Sequence, residues 1–348
     1  MVEANKIELK DLFPNAQMGL NNIGFLFGAG ASLPAGYPLT WKLTKEVLTE
    51  LLVEEQELLA AILGKENLEL DIQNGVPDIE LISDILNKHK NIGGIEKIED
   101  LISSIKSKII DRIRSIKDVN YEYHVKFFEG LKRKLGNSKS TIWIFTTNYD
   151  LVIETAAAMA GLAVYNGFEG INYRYFDINS LNLKKGTINR GTFEPLNEPV
   201  VKLIKLHGSI SWEKNNGKIY ERFDAISKEK SCLILPQKTK VVQTLDNPYD
   251  SIFRFTNNIL GSECEYLVSC GFSYRDQHIN EHLIQPKLRD GKINLFALSK
   301  ERTSEMEELA KFRSFKYGTE SSLKINDQVK DEGTDLWDFI NLSNLISK

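Results

Sequence analysis

Cysteine is scarce in this sequence. Only Cys232, Cys264 and Cys270 occur among 348 residues, and no two of them form a CxxC pair. Neither a disulfide framework nor a four-cysteine zinc site can be assembled from such a set, so a reducing, cytoplasmic location is the expectation. Long apolar runs are missing as well. None approaches the roughly 18 residues of a membrane helix, and the opening MVEANKIELKDLF carries charges where a secretory signal has its apolar stretch. Positive charge is not in surplus either. A formal net charge of -4 argues against a broad phosphate-binding surface, and direct nucleic-acid binding is not expected. What remains is a composition of 42% hydrophobic and 26% charged residues, enough for a substantial core in one large or two ordinary domains.

Seven short apolar runs rich in β-branched and aromatic residues read as buried strands: IGFLF (23–27), TIWIFTT (141–147), LAVY (162–165), VVKLIKL (200–206), CLILP (232–236), EYLVSCG (265–271) and KINLFALS (292–299). They are continuous rather than alternating, which predicts a parallel sheet covered on both faces. Helical patterns follow two of them, DLVIETAAAMAG and RDQHINEHLIQPKL, as crossover helices of right-handed βαβ units would. The predicted class is α/β, a Rossmann-like open parallel sheet with helices on both faces. Its parts are residues 1–42 and 138–348. Residues 43–137 read as a helical insertion subdomain, because apolar residues recur there every three or four positions, as in Ile98, Leu101, Ile102, Ile105, Ile109 and Ile113. Within it, residues 88–134 hold 12 Lys/Arg against 7 Asp/Glu, read as a solvated or protein-docking face. Residues 168–199 lack clear periodicity and read as a long irregular excursion.

Candidate chemistry gathers where these strands end. FLFGAGASLPAG (25–36) places Gly28, Ala29, Gly30 and Ser32 at a strand-to-helix turn, where unpaired amides suit a pyrophosphate once no side chain blocks it; a plain tight turn explains the glycines equally well. TTNYD (146–150) sets Thr147, Asn148 and Asp150 at the carboxyl edge, as ligand contacts or as caps of the next helix. LHGS (206–209) puts His207 at the same rim, and SCGFSYRD (269–276) adds Gly271, Ser273 and Asp276, the last placed to begin a helix. Convergence of these ends on one rim favours a site. The string His278-Ile279-Asn280-Glu281-His282 matches H-x-x-E-H, which can set two imidazoles on one helix face as zinc ligands, though no third ligand can be singled out.

The ordered set GAGAS, TTNYD, LHGS and GFS with Asp276 resembles the sirtuin-like NAD-binding domain, and is most similar to its bacterial anti-phage defence branch. The likeness spans about residues 20–300, and Pro38 and Trp41 after the glycine turn share in it. Two features depart from the lysine-deacetylating sirtuins: the four-cysteine zinc module cannot be built, and Thr147 stands where those enzymes usually have glutamine. The resemblance therefore implies hydrolysis of NAD to nicotinamide and ADP-ribose, depleting the infected cell, with NAD as substrate and no zinc. By the same likeness, Asn148 positions the nicotinamide ribose and the attacking water while His207 acts as general base. Gly28, Ala29, Gly30 and Ser32 line the pyrophosphate, with Thr147 beside them, and Asp150 holds the loop or contacts a ribose. Gly271 and Ser273 meet the phosphates or the adenosine ribose, and Ser299, on position alone, the adenosine ribose. The resemblance further implies a homo-oligomer with a separately encoded partner, such as a ring-forming translocase ATPase or a short Argonaute, and a gate formed by the insertion or by residues 168–199. Three readings stay open at this point: an NAD hydrolase, an NAD or ADP-ribose sensor without catalysis, and a zinc hydrolase using residues 278–282.

Overall fold

The apolar runs form the middle of a nine-stranded sheet. The computed structural model describes residues 7–14, 22–223, 231–233, 248–325 and 328–348. Seven strands run parallel in the spatial order Phe315–Gly318, Asn294–Leu298, Tyr266–Cys270, Ile23–Phe27, Thr141–Thr146, Val200–Lys205 and Ala163–Tyr165. Two short antiparallel strands, Leu323–Ile325 and Gln328–Lys330, extend the sheet beyond Phe315–Gly318. The chain starts at the centre, builds outward on one side, and crosses to the other side of Ile23–Phe27 after Val200–Lys205. That reversal leaves a crevice at the carboxyl ends of the central strands, where open α/β sheets bind ligands.

Both faces are covered, as the unbroken apolar runs require. On one face, Phe25, Phe27, Ile142 and Ile144 pack against helices Glu122–Leu135, Val152–Met159 and Phe339–Ser347. On the other, Leu26, Trp143, Phe145 and Leu267 pack against helices Tyr249–Ile259 and Ser304–Leu309 and a helical run over residues 277–289 that includes a π-turn at Asn280–Ile284. No helix among the described residues is long and apolar enough to cross a membrane.

The insertion is helical and has its own core. Helices Thr40–Thr49, Val53–Gly64, Ile79–Ile92 and Ile98–Arg114 bury Val47, Leu48, Leu59, Ile82 and Ile105 together. Tyr149, Val152 and Ile210 of the sheet domain join that same cluster, so the insertion shares its core with the loops at the strand ends. Helix Glu122–Leu135, also within 43–137, instead covers the main sheet through Phe127, Phe128 and Leu131.

Two expectations are corrected. The run at 232–236 does not join the parallel sheet: Ser231–Leu233 pairs antiparallel with Gly208–Asn215 in a second, five-stranded sheet, and residues 234–236 lie outside the described residues. Residues 168–199 are not irregular either. Phe168–Glu169 and Arg174–Phe176 are strands of the second sheet, and Gly186–Asn189 and Thr192–Pro195 form a hairpin. These strands are two to four residues long and largely exposed, too short to leave a readable period.

Gly130 sits in the helix Glu122–Leu135 where the C-terminal helix crosses: an added Cβ would lie 2.7 Å from the Ile346 carbonyl oxygen and from the Ser347 Cα. Alanine in place of glycine ordinarily stabilises a helix by about 1 kcal/mol. Here the backbone contact reverses the sign, and Gly130→Ala is expected to cost about 1–3 kcal/mol, the range for overpacking, measured as a lowered urea midpoint; a raised midpoint would show that the two helices separate without penalty.

Candidate functional site

The strand ends enclose a cavity of about 510 Å³, within the roughly 300–1,000 Å³ typical of cofactor and ligand sites. The eleven residues to which the resemblance gives a part in NAD binding or hydrolysis all line it: Gly28, Ala29, Gly30, Ser32, Thr147, Asn148, Asp150, His207, Gly271, Ser273 and Ser299. The insertion supplies another wall through Leu43, Asp78, Ile79, Glu80, Ile109 and Ile113, whereas no residue of 168–199 reaches the cavity.

The glycines act first on one another. An added Cβ at Gly28 would come within 2.5 Å of the Gly271 carbonyl oxygen, and one at Gly30 within 2.7 Å of the Gly271 Cα. Gly271 itself has φ +65°, and its Cβ would stand 2.3 Å from the Ala31 nitrogen. Two strand-end loops thus touch backbone to backbone, with the Gly28 amide donating to Cys270 O (3.2 Å) and the Gly30 amide to Gly271 O (3.1 Å). The Ala31 amide donates to Gly28 O at 2.9 Å. The Gly28, Gly30 and Ala31 amides are therefore engaged in a knitted junction, as the tight-turn reading of the glycines has it. From below, the buried His124 donates Nε2–H to Ala31 O (2.8 Å) and stacks on Phe339; burial holds its pKa low, so the ring is neutral.

Asn148 locks this junction to the neighbouring strand. Its Nδ2 donates to Gly28 O (2.9 Å) and to Ser32 Oγ (2.8 Å), and Ser32 Oγ donates on to Asp150 Oδ2 (2.8 Å). Because Gly28 O can only accept, the amide nitrogen must face it, which leaves the Asn148 carbonyl oxygen for a ligand. Asp150 also caps the Val152 amide at 3.0 Å, so the ligand and cap readings of this stretch hold together. Below it, the buried Lys205 pairs with Glu154 at 2.9 Å and donates to the Asp150 carbonyl, fixing the loop's height.

His207 and Asp276 form a buried dyad, Nε2 to Oδ2 2.8 Å, each side chain 8% exposed. Asp276 caps the Ile279 amide with its other oxygen (3.0 Å), the helix start that its position suggested. With the carboxylate on Nε2, the buried Nδ1 of His207 has no hydrogen-bond partner among the described residues. The loop that delivers Asp276 is strained: Tyr274 has φ +61° with a fully buried side chain, an outlier for a bulky residue. Its hydroxyl pairs with Ser269 and its carbonyl accepts from Asn280, so Tyr274 is drawn inward while Ser273, Arg275 and Asp276 line the cavity.

Sequence reasoning missed the insertion's contribution. Asp78 caps helix Ile79–Ile92 through the Leu81 amide (2.9 Å) and meets Arg275 Nη1 at 3.4 Å across the mouth. Glu80, the second residue of the same helix, has its pKa pushed up to about 7, by burial first and then by Asp78 and Asp276, with His207 and Arg275 opposing. Tyr37 and Tyr149 also line the cavity with hydroxyls pushed well up by burial. Such residues leave no motif, because a helical carboxylate reads as a solvated face until its neighbours are known. In the H-x-x-E-H string the His278 and His282 ring centroids lie 4.7 Å apart with the planes tilted by 58°, Phe253 packs on His278, and no group of three His, Cys, Asp or Glu that could hold a metal ion is found among the described residues.

A parallel sheet with a reversal at its central strand, and polar strand ends around a cavity at that reversal, defines a Rossmann-like ligand-binding domain. The SIR2-like domain matches residues 143–317, and the chain belongs to that family. No curated protein sequence matches it. SIR2-like domains are NAD-dependent enzymes, which makes NAD the ligand to test the cavity against. The residues present fit that ligand: Asn148 and His207 both line a space of suitable size.

Ionising Glu80 is disfavoured in the fold, so its stabilising contribution is full below about pH 4.5 and is lost as pH rises through about 7. Glu80→Gln is therefore expected to raise Tm at pH 8 by a few degrees and to leave it nearly unchanged at pH 4.5. Equal shifts at both pH values, followed by calorimetry, would show that the carboxyl is not held protonated.

Proposed function

We propose that this chain hydrolyses NAD to nicotinamide and ADP-ribose, and that it does so as an anti-phage effector that depletes the cofactor. The observation that carries the reading is the His207–Asp276 dyad, its Nδ1 buried and unpartnered, in the same cavity as the Asn148 carbonyl oxygen. Simple binding has no use for an oriented base. The scissile bond joins ribose C1′ to a pyridinium nitrogen, and the bond's electron pair returns to that nitrogen, so nicotinamide leaves neutral without a proton from the protein. The barrier lies in the oxocarbenium-like ribose.

Asn148 orients the ribose or the incoming water without titrating. His207 Nδ1 takes the proton as the water oxygen bonds to C1′, and Asp276 holds the tautomer and the imidazolium that forms. The resemblance in sequence adds that the chain works as a homo-oligomer in the cytoplasm with a separately encoded partner, a ring-forming translocase ATPase or a short Argonaute. The insertion, which walls the cavity, is the gate in this reading.

Purified protein incubated with NAD should release nicotinamide and ADP-ribose, resolved by chromatography. Asn148→Ala and His207→Ala should abolish release with the circular dichroism spectrum unchanged. Asp276→Asn, which keeps the helix cap, should slow it by about 10²-fold or more. Undiminished cleavage by both alanine variants would sink the assignment.

A further inference from the structure

Five carboxyl groups line the cavity, Asp78, Glu80, Asp150, Asp276 and Asp338, against only Arg275 and Lys300. Four have evident work. Asp150 accepts from Ser32 and the Val152 amide, and Asp276 from His207 and the Ile279 amide. Asp78 caps Leu81 and meets Arg275, and Asp338 caps Ile340. Glu80 is the exception: among the described residues its carboxyl has no hydrogen bond or ion pair, although it is half-buried. Asp78 and Asp276 face it with like charge, His207 and Arg275 oppose them, and the Tyr149 hydroxyl lies within electrostatic reach. A half-buried carboxyl without a partner is costly unless a cation comes to it. His207, whose buried Nδ1 has no hydrogen-bond partner among the described residues, lines the same cavity and is a second group there left unsatisfied by the protein.

We infer that Glu80 is the counter-charge for the cationic nicotinamide ring, and the residue by which the site takes the oxidised dinucleotide in preference to the reduced one. This rests on the reading of the cavity as an NAD site. NAD+ and NADH share every phosphate, ribose and adenine contact, and differ in that the oxidised ring is a planar cation and the reduced ring is neutral. An anionic wall at the ring end discriminates between them, and nothing at the pyrophosphate end can. Glu80 comes from the insertion, so selectivity is added by a part of the chain outside the family-matched segment. Ring binding also draws Glu80 into its ionised form, which the empty pocket disfavours.

The test measures affinities of the full chain for NAD+, NADH and ADP-ribose by equilibrium titration in the cold, before turnover, at pH 6 and pH 8. At pH 8 the parent should prefer NAD+ to NADH by about tenfold, the size of a unit-charge interaction across roughly 10 Å at an effective dielectric of about 20. At pH 6, with Glu80 mostly protonated, the preference should shrink. Glu80→Gln should bring it near unity at both pH values while leaving ADP-ribose affinity unchanged, and Glu80→Asp should restore part of it. A preference undiminished in Glu80→Gln, or absent from the parent, overturns the inference while NAD binding stands. Failure of all three ligands to bind overturns the functional reading itself.

Discussion

Backbone contact between two loops is the constraint on which this structure depends. Gly28 and Gly30 on one side and Gly271 on the other leave no room for a single Cβ, and amide-to-carbonyl bonds knit the loops together. That contact draws the ends of Ile23–Phe27 and Tyr266–Cys270 close enough for the cavity to have a floor. Asn148 then ties the floor to the next strand, and Ser32 and Asp150 continue the chain of hydrogen bonds to the helix beyond. These hydrogen bonds are buried and linked in series, which makes the floor rigid.

Around that rigid floor the walls differ in origin. His207 and Asp276 come from the sheet domain, while Asp78 and Glu80 come from a helix bundle whose core takes in Tyr149 and Ile210. The insertion is therefore not an appendage that could drift away without consequence. Its core and the loop carrying Asn148 are packed as one body, with Arg275 and Asp78 meeting at the rim.

Much of this was legible in the sequence because buried parallel strands are nearly unbroken apolar runs. Six of the seven runs are strands of the main sheet, and the polar residues just past their ends fall on one rim by necessity. The positions of Asn148 and His207 on that rim could be read for the same reason. What stayed hidden depends on contacts distant in sequence. The part Asp276 plays toward His207 needed a left-handed turn at Tyr274, and the role of Glu80 needed a helix from the insertion to dock. The second sheet was missed because its edge strands are short and its longest strand, Gly208–Asn215, is buried over six residues that mix serine and tryptophan, which reads neither as a run nor as an alternation. The glycines were noticed, yet their first use, allowing two loops to touch, could not be separated from ligand approach until both loops were seen.

The cavity wall draws on residues as early as Gly28 and as late as Trp337 and Asp338, with the strand Ile23–Phe27 at the heart of the sheet. During synthesis, a ribosome has to deliver the polypeptide from Gly28 through Asp338 before the two glycine loops, the insertion and the start of helix Phe339–Ser347 can meet. A fragment that ends short of Asp338 therefore holds parts of the pocket and never its closed form.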